Sequence, residues 1–164
     1  SNFYISSFTT TRMLKRTHLA IGIGVALYFL DIPQLQNHLI FFVVVVAASL
    51  FPDLESGLLS IRGPLRMRFA QKVKERMGFL HTYTFCILAS ILFAMFQPIL
   101  AFPFFLGYSF HLLADSFTPE GIKPFWPINK VSKGHIPAGG NLDMVIFYVM
   151  IIVDIALAAK LFLF

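Results

Sequence analysis

Five apolar blocks, the first four closed by proline or a polar residue, confine this chain to helices packed in or against hydrocarbon. The first runs from about Thr17 to Leu30 and stops at Asp31-Ile32-Pro33. The second, about His38 to Phe51, stops at Pro52-Asp53. The third spans roughly Phe79 to Phe96 and is broken by Gln97-Pro98. The fourth covers about Ile99 to Leu113, with Pro103 expected to bend its start. The last, Met144 to Phe164, is interrupted by Asp154 and Lys160. A soluble domain carries about a quarter charged residues. This chain of 164 residues carries 13%, against 57% hydrophobic, and its apolar residues lie in long runs. The expectation is an all-α polytopic membrane bundle of about five transmembrane helices, forming one domain over residues 13–164. Ser1 to Arg12 are set apart as an N-terminal extension or expression remnant, with Met13 a candidate start.

A crossing takes about 20 apolar residues, so the first, second and fourth blocks are short. Their helices must run into polar flanks, or the bilayer must thin around them. Either way His18, Asp53 and His111 are drawn to the edge of the hydrocarbon. Lys15 and Arg16 precede the first block, and Arg62, Arg66, Arg68, Lys72, Lys74 and Arg76 fill the connection after the second. Lys123, Lys130 and Lys133 follow the fourth, whereas the opposite connections carry no Lys or Arg. The bias puts the N-terminus and both long loops in the cytoplasm of a multi-pass protein. Lys160, near the far end, is expected to snorkel towards the interface. A formal charge of +5 distributed in this way sets topology and meets anionic lipid; it does not call for nucleic acid. Cys86, the single cysteine, lies in an apolar run and reads as a small buried hydrophobe.

With that topology, His18 opens the first block, Asp53 ends the second, His81 opens the third, and His111 with Asp115 ends the fourth, all on one face. His111 and Asp115 are four residues apart, which stacks them on one side of a helix. Taken alone, that pair is either half of a metal site or a hydrogen-bonded helix end. Each of the others also has a plain reading: an interfacial His18, a turn-capping Asp53, a His81 bonded to a neighbouring helix. Their convergence favours a metal centre, because ionisable groups beside hydrocarbon need partners. Imidazoles and carboxylates without thiols suit zinc first, and manganese or iron as well. The expected ligands are His18, Asp53, His81, His111 and Asp115, holding one or two ions with water completing the shell. Such open coordination suits hydrolysis, with Asp53 and Asp115 as catalytic carboxylates and Glu55 as candidate general base.

The stretch Gly107-Tyr108-Ser109-Phe110-His111-Leu112-Leu113-Ala114-Asp115-Ser116-Phe117-Thr118-Pro119-Glu120-Gly121 resembles the signature of the YdjM-type inner-membrane metal-dependent hydrolases. Thr17-His18-Leu19 with Gly22, Phe51-Pro52-Asp53, Gly78-Phe79-Leu80-His81-Thr82 and Pro124-Phe125-Trp126-Pro127 add to the likeness, which runs from Met13 onward. That family often has Asp where this chain has Glu55. Of its His-Arg-Gly-x-Thr-His-Ser stretch, only the glycine and the second histidine remain here. The order His, Asp, His, His-x-x-x-Asp is also similar to the zinc-dependent phospholipase C and single-strand nuclease superfamily. That second likeness implies phosphoester cleavage and brings in His135 as a loose counterpart of a later ligand.

The expected activity is therefore hydrolysis at the cytoplasmic face, on a phosphoester of a lipid or lipid-linked substrate. The alternative is a non-enzymatic adaptor or metal-binding protein for a cytoplasmic partner. A carrier is disfavoured because the middles of the first four blocks are nearly free of charge, Asp154 being the deep exception in the chain. Arg62 to Arg76, six basic residues among Leu65, Met67, Phe69, Val73 and Met77, can form a helix lying on anionic inner-leaflet lipid. Gly139-Gly140-Asn141 reads as a turn before the last helix, Asp143 as a capping acid, and Trp126 as an interfacial anchor. His38 is at the wrong end of its block for the centre. No Walker loop, dinucleotide fingerprint or Gly-x-Ser-x-Gly elbow occurs.

Overall fold

The computed structural model describes residues 13–32, 35, 37–59, 79–137 and 139–163, with side chains at 54–59 and 162 left out. Among the described residues the chain is all-helical: α1 Lys15–Leu30, α2 His38–Leu59, α3 Tyr83–Phe96, α4 Pro98–Ser116 and α5 Asn141–Leu163. One isolated antiparallel bridge, Ile122 to Ser132, closes the loop between α4 and α5. By length and composition, α4 and the Asn141–Leu161 part of α5 suffice to cross a membrane; His38–Asp53 and α3 are shorter apolar helices. The N-terminal extension and the basic Arg62–Arg76 stretch lie outside the described residues.

α4 is the central helix, packed on α1, α2 and α3, while α5 leans on α1. Two close approaches fix the bundle. A Cβ on Gly107 would collide with the backbone carbonyl of Val45, so α4 and α2 touch main chain to main chain there. A Cβ on Gly22 would strike the Ser49 side chain, so α1 packs there against a side chain of α2. Apolar packing continues this on both sides of α4. Ala48, Cys86, Phe104, Tyr108 and Leu112 form one buried cluster with Ile122, and Val25, Ala26, Phe41, Val45 and Leu106 form the other. Cys86 is thus the buried hydrophobe expected.

Two element ends differ from the sequence reading. Pro52 was expected to stop α2, yet the helix continues through it to Leu59. Proline removes one helical hydrogen bond, to the carbonyl of Ala48, at a typical cost of about 3 kcal/mol. Pro52 is fully buried, so packing holds the helix together across the gap. Asp53 consequently projects from a helix and does not cap a turn. The third block was expected to begin a helix near Phe79, but residues 79–82 form a tight turn and α3 starts at Tyr83. Thr82 explains the delay. Its hydroxyl accepts from the Phe85 amide at 3.1 Å, an N-cap that satisfies one orphan donor of the first turn.

At the end of the bundle away from these turns, Lys160 pairs with Asp31 while both stay more than half exposed. The deep carboxyl, Asp154, is buried where α5 meets α1 at Gly24.

Candidate metal centre

Helix geometry carries the two close approaches straight into a cluster of ligands. One turn after Gly107 comes His111, and one turn after Val45 comes Ser49. The His111 Nδ1–H donates to the Ser49 carbonyl at 2.7 Å. One turn before Gly22 comes His18, and one turn after Ser49 comes Asp53. His18, Asp53 and His111 accordingly bring ligand atoms within 4.8 Å of one another. His81, from the turn ahead of α3, forms a second such group with His111 and Asp115. All five side chains expected from the sequence converge, and each is buried, from 1% exposed at His18 and His111 to 6% at His81.

Their mutual geometry is tight. The His18 Nε2 lies 3.1 Å from Asp115 Oδ1, and His111 Nε2 lies 3.4 Å from Asp115 Oδ2. The His18 and His111 rings stack with centroids 4.0 Å apart, and the His81 ring stands edge-on to His111 at 5.8 Å.

The fit to a cation follows from the proton on His111. A carbonyl oxygen only accepts, so the bond to Ser49 places the proton on Nδ1 and leaves Nε2 with its lone pair in the neutral ring. In that form Nε2 is a buried acceptor with no hydrogen bond among the described residues; in the imidazolium form it pairs with Asp115 at 3.4 Å. With a neutral His111 the site presents an imidazole lone pair beside a carboxylate, a combination that a cation would satisfy. The backbone carbonyl behind a metal-binding imidazole is the usual means of fixing the tautomer. The donor set, three imidazoles and two carboxylates, fits zinc, manganese or iron, and His18, Asp53, His81, His111 and Asp115 are the residues that would hold the ion.

The family comparison matches the YdjM inner membrane protein model over residues 13–162. This chain belongs to the YdjM inner membrane protein family. No curated protein and no solved structure matches it. The match takes in the five helices and the five converging candidate ligands, and with the apolar helices it makes this an inner-membrane protein.

Other residues singled out in the sequence of this YdjM family member fall elsewhere. Glu55 sits in α2 two residues beyond Asp53, and its side chain lies outside the described residues. His135 is exposed on the loop before α5, and His38 is exposed at the opposite end of α2. Asp143 does more than cap. Fully buried, it accepts from Gly139 N at 2.8 Å, from Thr17 Oγ1 at 2.7 Å and from Leu14 N at 3.4 Å. It therefore ties α5 to the first turn of α1, one residue from His18. Sequence reasoning missed Ser49 and Thr17. Ser49 contributes through its main chain, which no side-chain pattern reveals; Gly22 and Gly107 are the traces it leaves.

Proposed function

We propose that this protein is a membrane-embedded, metal-dependent hydrolase whose centre lies at the cytoplasmic end of five membrane-spanning helices. Its substrate is a phosphoester of a lipid or lipid-linked molecule that enters from the inner leaflet. The observation that carries this reading is the convergence of three imidazoles and two carboxylates, all buried, in two groups that share His111 and bring their ligand atoms within 4.8 Å of one another.

When bound, a divalent ion of the zinc type supplies a Lewis acid for the phosphoryl oxygen and lowers the pKa of an attacking water. The chain's own residues do the rest. His111, locked by Ser49, keeps Nε2 turned to the centre. Asp115 lies between His18 and His111 and balances the charge of the ion. Asp53 and His81 close the cluster from α2 and the α3 turn. Glu55, two residues after Asp53 in α2, is assigned as general base for the attacking water. Arg62–Arg76 is assigned to hold anionic headgroups of the same leaflet.

The test is elemental analysis of detergent-purified protein beside the His111→Ala and Asp115→Ala variants. Near-stoichiometric metal in the wild type and loss in both variants supports the reading; equal, near-zero metal in all three removes it. Turnover of lipid phosphoesters that stops with chelator then separates a hydrolase from a metal-binding adaptor.

A further inference from the structure

Beside the metal centre, the loop from Ile122 to Lys133 forms a small, well-anchored projection whose surface has no role in the cluster itself. Its neck is closed by two backbone hydrogen bonds between Ile122 and Ser132, at 3.0 and 2.8 Å. Gly121, at φ 66°, permits that closure, since a Cβ there would collide with the Ser132 carbonyl. Just beyond the neck, Gly134 N donates to the Thr118 carbonyl and Ile136 N to the Phe117 carbonyl, each at 3.0 Å. These bonds pin the base of the loop to the end of α4, two and three residues past Asp115. Its flank is pinned to α3: Tyr83 N donates to the Pro124 carbonyl at 2.8 Å, and Thr84 Oγ1 donates to the Trp126 carbonyl at 3.1 Å. The projection is thus fixed to two of the elements that carry His81, His111 and Asp115.

What it presents outward is a mixed surface. Phe125, Trp126 and Ile128 are 53%, 58% and 61% exposed. Lys123, Lys130 and Lys133 are exposed on the same loop, and no acidic residue falls between Ile122 and Lys133. Exposed aromatic and aliphatic side chains among lysines are the composition that settles at a headgroup layer, rings among the upper acyl chains and ammonium groups on phosphates. An acidic soluble partner would account for the lysines and leave the apolar tips unexplained. The neutral part of the bilayer would account for the tips and leave the lysines.

We propose that this loop is a recognition lip for anionic phospholipid, binding its headgroup phosphate through Lys123, Lys130 and Lys133 while Phe125, Trp126 and Ile128 enter the leaflet. It rests on the hydrolase reading only for the use to which the lipid is put: an anionic phospholipid held here lies next to the metal centre and defines the substrate class.

Trp126 is the one tryptophan of the chain, so its fluorescence reports on the lip alone. The experiment reconstitutes the full chain into phosphatidylcholine vesicles holding a minority of phosphatidylglycerol, with bromine on the acyl chains of one lipid or the other. Brominated phosphatidylglycerol is expected to quench Trp126 beyond its mole fraction by about fivefold, the factor one lysine near an anionic surface supplies. The excess should vanish in high salt and in the combined Lys123→Gln, Lys130→Gln, Lys133→Gln variant. Quenching in proportion to mole fraction overturns the proposal. So does an absence of quenching by either lipid, which would put Trp126 in water or against another protein. An undiminished preference in the triple variant overturns it too. The wild-type measurement is repeated after chelation. Selectivity needs no ion, so a protein that binds no metal yet keeps its lipid preference counts against the hydrolase alone.

Discussion

His111 is held from behind by Ser49, its Nδ1–H meeting the Ser49 carbonyl at 2.7 Å where α4 and α2 come together. That contact exists because Gly107, one turn earlier, lets the two backbones meet at Val45. Stability and ion binding should therefore fail together when the gap is filled. Gly107→Val is expected to cost about 1–3 kcal/mol, as overpacking does, and to lose metal. Thermal unfolding in detergent and metal content check it; wild-type values for both would refute the link.

Convergence, not position along the chain, singles out the histidines proposed to bind metal. His18→Ala is expected to weaken metal binding by at least about tenfold, the lower end of what even an outer-shell partner costs. His38→Ala and His135→Ala, which alter exposed residues away from the cluster, should bind as the wild type does. Competition with a chromogenic chelator reads all three. Equal affinities across the set would place His18 outside the centre.

Asp143 holds three donors on one buried carboxylate, among them Thr17 next to His18. Asp143→Ala leaves those donors without an acceptor, at about 1–3 kcal/mol for each that stays buried. Thr17→Val removes one of them beforehand. The double variant should accordingly lose less than the sum of the two single losses, as contacting residues do. Additive losses in unfolding free energy would show that the bond at 2.7 Å carries no coupling.

The ion pair at the far end invites the opposite expectation. Lys160 and Asp31 are both more than half exposed, so solvent screens them. Lys160→Ala should shift stability by less than about 1 kcal/mol and leave metal content alone. A larger loss would mean that the α1–α5 contact depends on this pair.

The sequence made the five apolar blocks and the five converging candidate ligands readable because both follow from the hydrocarbon. Apolar runs have few places to go, and polar residues at their ends must find one another. Helix ends were less legible. Pro52 looked like a stop because local geometry disfavours it, and only its burial, a tertiary fact, keeps α2 going to Leu59. The late start of α3 was open to view in Thr82, a residue type that favours the N-cap. The Ser49 carbonyl was hidden, since every residue carries one. Asp143 showed as an acid near a helix start; its hold on Thr17, 126 positions away, did not.

α5 leans on α1 and supplies none of the ligands. The candidate ligands thus come from the other four elements, while α5 is an apolar helix long enough to cross a membrane and carries mostly exposed side chains. Four elements share the geometry of the cluster, and the fifth is tied to its neighbourhood by Asp143, which accepts from Thr17 beside His18. The outer flank of α5, where Tyr148, Ile152 and Ile155 stand exposed, is accordingly free to drift in sequence so long as it stays greasy. A substitution there should alter how the protein sits among lipids long before it alters what the protein holds.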